Sequence, residues 1–286
     1  MNKFRLPSEI ADHEWPEPSA FIEEAKACVR EAQEEGIVIR VMGGLAIHLH
    51  CQEYRKLWDE LGRLGSKVFT DIDYVSYGKY RGQLLKFFED RGFTINQKML
   101  YLYAKSRHIY YGEKIPMVEV FYDKLEMNHT IQYAGRLEAD SPTLPPAELL
   151  LQKIQMVGMH QKDFKDTIVL LRAHELGEDD ADRINQRAIG DRLFSDWGFH
   201  HTATTNLQKV RDSLANYEAL GEEDIAVVDG RLAQLLKYLE EGPKTIKWKL
   251  RGKIGTKMQW YNVIDDWDVI SNESSDIKGS TADDSS

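Results

Sequence analysis

With 286 residues and a 42% hydrophobic composition, the chain carries enough apolar material for one large core or two smaller ones. A formal net charge of −10 argues against a general nucleic-acid coat, which needs a basic face to neutralise phosphate, but leaves room for a metal-neutralised nucleotide or one local basic patch. There is no apolar run long enough to span a membrane, no secretory signal pattern and only two cysteines (Cys28 and Cys51), so a reducing, cytoplasmic setting without a membrane partner is expected.

Residues 1–18, with Pro7, Pro16 and Pro18, read as an irregular lead-in. Ser19 is placed to cap a helix running to Glu35, with Gly36 as its stop. Residues 37–41 are short and β-branched, as in a buried strand. The sequence Met42-Gly43-Gly44 breaks that strand, and 45–63 read as helix, in one or two pieces. A second strand covers 68–76 and a helix 80–91, closed by Gly92. Segments 93–103, 106–111 and 117–122 read as three further strands. After Pro142, Pro145 and Pro146 the period becomes helical, over 147–158, 162–175, 181–190, 203–218 and 221–241. The expected fold is α+β: a mixed sheet with flanking helices over 1–143, a helical domain over 144–270, and a disordered tail over 271–286, which has little apolar content.

The chemistry is concentrated in the strands. In Thr70-Asp71-Ile72-Asp73-Tyr74, residues two apart share a face, so Asp71 and Asp73 point one way while Ile72 and Tyr74 face the core. Two adjacent carboxylates repel each other unless a cation sits between them, and hard oxygen donors favour Mg²⁺ or Mn²⁺. The bland alternative is a solvated face on an edge strand. Glu119, alone among apolar residues in Met117-Val118-Glu119-Val120-Phe121, is either a face residue or a third acid of the same cleft. A strand ending at Gly43-Gly44 and opening a helix gathers backbone N–H groups at one spot, which suits phosphate, although such turns also occur without one.

Taken together, Gly43-Gly44, Asp71-x-Asp73 and a later strand acid resemble the polymerase-β-like nucleotidyltransferase superfamily, most closely its bacterial branch of minimal and AbiEii-type proteins. The resemblance covers about residues 38–171. It departs from the usual pattern in a long Gly44-to-Asp71 spacing and in Glu119, where Asp is commoner. It implies a metal-dependent enzyme that moves an NMP from an NTP to a hydroxyl acceptor (small molecule, protein or RNA) and releases pyrophosphate. In that scheme Asp71, Asp73 and Glu119 are the catalytic metal ligands, and Gly43 and Gly44 admit the phosphates. Lys153 lies inside the apolar stripe Leu149, Leu150, Ile154 and Val157, where a lysine marks a site or reaches to the surface. The resemblance places it on the triphosphate, with Asp163 and Asp166 orienting it or the helix pair. A toxin-type enzyme modifying tRNA, and a non-catalytic nucleotide-binding protein on the same fold, are the rival readings.

Other features carry less. In His48-Leu49-His50-Cys51, residues two apart on a helix diverge by about 200°, so His48 and His50 do not share a metal. His200-His201 reads as a loop, and His129 as structural or at the edge of the cleft, the structural role being favoured. Trp197, Trp248, Trp260 and Trp267 read as core or interface. Residues 244–257 hold Lys244, Lys247, Lys249, Arg251, Lys253 and Lys257 around Trp248: a solvated helix face or a grip for an RNA backbone.

Overall fold

The N-terminal half builds a five-stranded sheet, and the C-terminal half packs helices on one another and, through its helices Pro146–Ile154 and Gln161–Ala173, on the helix Gly43–His50 that follows the first strand. A computed structural model of the chain describes residues 6–62, 67–95 and 97–264. The tail expectation for 271–286, and Trp267, fall outside these residues.

Helix α1 (Pro18–Glu34) begins one residue before the expected cap. Its N-cap is Glu17, and Pro18 takes the first helical position, where a fixed φ helps and a missing N–H costs nothing. Phe21, Ala25, Cys28, Val29 and Ala32 form its buried stripe. Then follow β1 (Ile39–Val41), α2 (Gly43–His50), α3 (Arg55–Glu60), β2 (Ile72–Ser76), α4 (Arg81–Asp90), β3 (Thr94–Ile95), α5 (Gln97–Tyr103), β4 (Arg107–Tyr111) and β5 (Met117–Tyr122). A small hairpin, β6 (Lys124–Glu126) and β7 (Thr130–Gln132), leads to α6 (Pro146–Ile154) and α7 (Gln161–Ala173). The rest is β8 (Leu176–Gly177), β9 (Ile184–Asn185), α8 (Gln186–Leu193), α9 (Trp197–Ser213), α10 (Glu222–Glu241) and α11 (Ile246–Ile254).

The sheet order is β1-β2-β5-β4-β3. β2 and β5 are parallel, and the other neighbours antiparallel. Past Pro142 the chain returns to β1. The Val41 amide donates to the Pro142 carbonyl, and the Leu144 amide to the Val41 carbonyl, each at 2.9 Å. The apolar core continues across this crossing, from α1 and the sheet into α6, α7, α9 and α10. Among the described residues, no helix is long and apolar enough to cross a membrane.

Several expected elements differ. The strand over 68–76 shortens to β2, because only Ile72–Ser76 find partners on β1 and β5. The expected strand over 93–103 is only β3, followed by helix α5. Gln97, Leu100 and Leu102 are good helix formers, and among the described residues no strand pairs with 97–103. The helix expected over 181–190 starts at Gln186, where the Asn185 side chain accepts from the Arg187 and Ala188 amides. The helix expected from 203 starts at Trp197, capped by Asp196, so His200 and His201 are helical rather than in a loop.

Candidate functional site

The register of β2 on β5 decides the site. Asp73 and Glu119 are direct partners across the parallel ladder, so their side chains leave one face of the sheet as neighbours. Asp71 stands one residue ahead of β2, and burial alternates from 71 to 74, with Ile72 and Tyr74 buried and Asp71 and Asp73 more open. The Thr70 hydroxyl donates to Asp71 Oδ1 at 3.1 Å. The strands thus bring three carboxylates together. Burial pushes the Asp73 carboxyl well above the usual carboxylate range, and the negative charges of Asp71 and Glu119 push it further. Lys153 and Arg107 act in the opposite direction.

Arg107 was not anticipated. Its Nη1 lies 3.0 Å from Glu119 Oε1. On β4 it pairs with Phe121, two residues beyond Glu119, which makes the pair a diagonal neighbour on the sheet. The guanidinium also sits over the Tyr103 ring, 4.8 Å from its centroid. Glu119 is therefore an acid with a resident cation, unlike the bare third ligand expected.

Gly43 is required for a different reason from the one expected. Its amide donates to Gln152 Oε1 at 3.1 Å, and Gln152 Nε2 donates to the Tyr133 hydroxyl at 2.9 Å, so that N–H serves α6 and not a phosphate. Its φ is +69°, and a Cβ there would lie 2.7 Å from Asp73 Oδ2. The missing side chain makes space for the Asp73 carboxylate. The Met42 amide holds the same strand by donating to the Asp73 carbonyl at 2.9 Å. The N-cap residue Met42 makes no side-chain cap bond, so Gln152 takes the first amide of α2, and Gly44 and Leu45 follow.

Lys153, on the last turn of α6, reaches α7. Its Nζ is 2.9 Å from Asp166 Oδ2 and 3.3 Å from Asp163 Oδ1. Asp166 is fully buried and also accepts from Trp58 Nε1 at 3.0 Å. The two acids that α7 presents three residues apart therefore grip Lys153 from one side. Two surface depressions, one bordered by Lys26, Arg30 and Pro142 and one by Tyr77, Lys79 and Asp123, do not include the carboxylate trio.

His129 is buried. Its Nε2 lies 2.8 Å from the Thr202 hydroxyl, and the ring stacks on Phe199 at 4.9 Å. His48 is buried between Trp58 and Phe69. The basic segment forms α11, which buries no residue. Lys247, Lys249, Lys253 and Lys257 are exposed, whereas Arg251 is spent on the carbonyls of Gly255, Met258 and Gln259 and on the Trp197 ring.

No family model, curated protein or solved structure matches this chain.

Proposed function

We propose that the chain is a metal-dependent nucleotidyltransferase, moving an NMP from an NTP to a hydroxyl acceptor. The observation that carries this reading is the carboxylate trio, with Asp73 and Glu119 side by side across β2 and β5 and Asp71 two residues before Asp73. Hard oxygen donors fit Mg²⁺ or Mn²⁺, which would offset triphosphate charge and polarise the α-phosphorus. Asp71 and Asp73 would hold that ion. The repulsion and burial that raise Asp73 are relieved when a cation arrives, which favours such an ion here. Glu119, steadied by Arg107, would supply a third oxygen or take the acceptor's proton. Gly43 leaves room for Asp73, and the start of α2 from Gly44 onward, beyond the amide taken by Gln152, suits a phosphate oxygen. Lys153, fixed by Asp163 and Asp166, would offset charge on the leaving group. The acceptor oxygen bonds to the α-phosphorus as the bond to the bridging β-oxygen breaks, and pyrophosphate departs with that electron pair.

A second reading of the acceptor is RNA, in the manner of a tRNA-modifying toxin. The four exposed lysines on and just after α11, in a chain of net charge −10, favour it. A non-catalytic nucleotide-binding protein has less need of all three acids.

The test is incubation with each α-labelled NTP and Mg²⁺, with and without total tRNA. Label should move to an acceptor, and the double substitution Asp71→Asn/Asp73→Asn should lower transfer at least about 100-fold. Equal transfer by that variant would overturn the reading. Label on tRNA, lost on replacing Lys247, Lys249 and Lys253 by Glu, would identify the acceptor as RNA.

A further inference from the structure

A second cluster of ligand atoms lies at the other end of α2. His50 is the last residue of that helix. His174 is the residue that ends α7, and Asp182 lies in the loop between β8 and β9. One nitrogen of each ring and one Asp182 carboxylate oxygen all lie within 4.8 Å of one another. The rings meet edge to face, with centroids 5.4 Å apart.

The surrounding bonds set up both imidazoles as ligands. His50 Nε2 lies 3.0 Å from the Leu144 carbonyl, which only accepts, and 2.7 Å from the Thr143 hydroxyl, which accepts or donates; with the Nε2 proton given to the carbonyl, Nδ1 keeps its lone pair. His174 Nδ1 lies 3.1 Å from the Asp182 carbonyl, so Nδ1 carries the proton there and Nε2 keeps the lone pair. Second bonds of this kind, from a ring N–H to a backbone carbonyl, are what orient metal-binding histidines. His174 is only 4% exposed, and its Nε2 is buried with no hydrogen-bond partner among the described residues. A buried lone pair without a donor costs free energy that a cation would recover. Asp182 holds a left-handed backbone, φ 58°; its side chain is 85% exposed, and its Oδ1 now lies 3.2 Å from His174 Nδ1, so it must turn from that N–H to reach an ion on Nε2. Asp140, whose Oδ2 is 3.5 Å from His50 Nε2, stands beside the cluster.

We propose that His50, His174 and Asp182 form a transition-metal site, for Zn²⁺ by its donors, separate from the carboxylate trio. Two imidazoles and one carboxylate are a zinc set, with the fourth position left to water. Metal–ligand bonds of about 2.0–2.2 Å require the three atoms to draw closer than they stand, and the exposed Asp182 is the one that moves. An ion here would tie the end of α2 to the end of α7. Because α2 begins at Gly43, against Asp73, the site would anchor the helix that shapes the carboxylate trio. Metal binding itself does not depend on the transferase reading.

The test uses the full chain, stripped with a chelator and titrated with Zn²⁺ by calorimetry and with Co²⁺ by visible absorption. One equivalent should bind, with the d–d bands of a nitrogen-and-oxygen tetrahedral site. His174→Ala and His50→Ala should weaken binding at least about 100-fold, more than loss of an outer partner does. Asp182→Ala changes an exposed side chain, so it keeps the fold if the histidine variants do not, and should weaken binding about 10-fold. Asp71→Asn/Asp73→Asn should leave it unchanged. No saturable binding, binding unaffected by Asp182→Ala, or binding lost with Asp71 and Asp73 would each overturn the proposal.

Discussion

Gly43→Ala separates a steric role for this glycine from a phosphate-binding one. The backbone sits at φ +69°, where an L side chain costs about 1–2 kcal/mol. The new methyl would lie 2.7 Å from Asp73 Oδ2, well inside contact distance, and the end of the Asp73 side chain is the part that gives way. The stability loss is therefore modest, about 1–2 kcal/mol, or a fall of roughly 3–6 °C in Tm for a chain of this size. The functional loss is larger, because the displaced group is a proposed metal ligand; misplacing such a group by about 1 Å costs on the order of 100-fold in rate. Thermal unfolding followed by circular dichroism, with and without Mg²⁺, reads the first effect, and label transfer from NTP reads the second. Gly230→Ala is the comparison: in the middle of α10 its Cβ meets nothing within 4 Å, so it should raise stability by about 1 kcal/mol. If Gly43→Ala melts with wild type and keeps its Mg²⁺ response and transfer rate, the steric argument is wrong.

Arg136 joins the two halves of the chain. It pairs with the fully buried Glu148 at 2.6 Å and with Asp180 at 2.6 Å, so Arg136→Ala should cost about 3–5 kcal/mol in urea unfolding, and a loss under 1 kcal/mol would show the fork to be unimportant. Lys153→Met should destabilise the chain by about 2–4 kcal/mol, since buried Asp166 loses its cation, and should weaken NTP binding measured calorimetrically; unchanged affinity would remove Lys153 from the site. Burial holds His48, His108 and His129 down at about 4, against about 6.5 in an unfolded chain. Below pH 6.5 the unfolded chain takes up protons that the folded one refuses until about 4. Stability should therefore fall across that window, by about 2 kcal/mol per ring at pH 5, and a urea midpoint at pH 5 equal to that at pH 7 would contradict it.

The acids were legible because strands alternate: Asp71, Asp73 and Glu119 interrupt apolar runs at the period that puts them on one face. What local pattern does not contain is register. That Asp73 faces Glu119, and that Arg107 reaches Glu119 diagonally, follows only from the order β2-β5-β4. Gly43 was recognised as a turn, but its contact with Asp73 depends on how α2 leaves the sheet. The grip of Asp163 and Asp166 on Lys153 was half readable from helical spacing. His50 was set against its neighbours His48 and Cys51, whereas the structure sets it against His174 and Asp182, which no short window relates. The start of α9 was missed because Asp196, its cap, stands among aromatic and histidine residues that read as irregular.

The return of the chain to β1 has a consequence for how the protein may be divided. β1 is the outer strand of the sheet, and residues 142–144 occupy backbone groups that would otherwise face solvent. A fragment ending at residue 143 would lose the Leu144 bond and all of α6, and with it the partner of the Gly43 amide. Its outer strand would be open to pairing with another copy, and its carboxylates would stand on an unsupported turn. The helical half thus completes the sheet's margin as well as bracing α2 through α6 and α7.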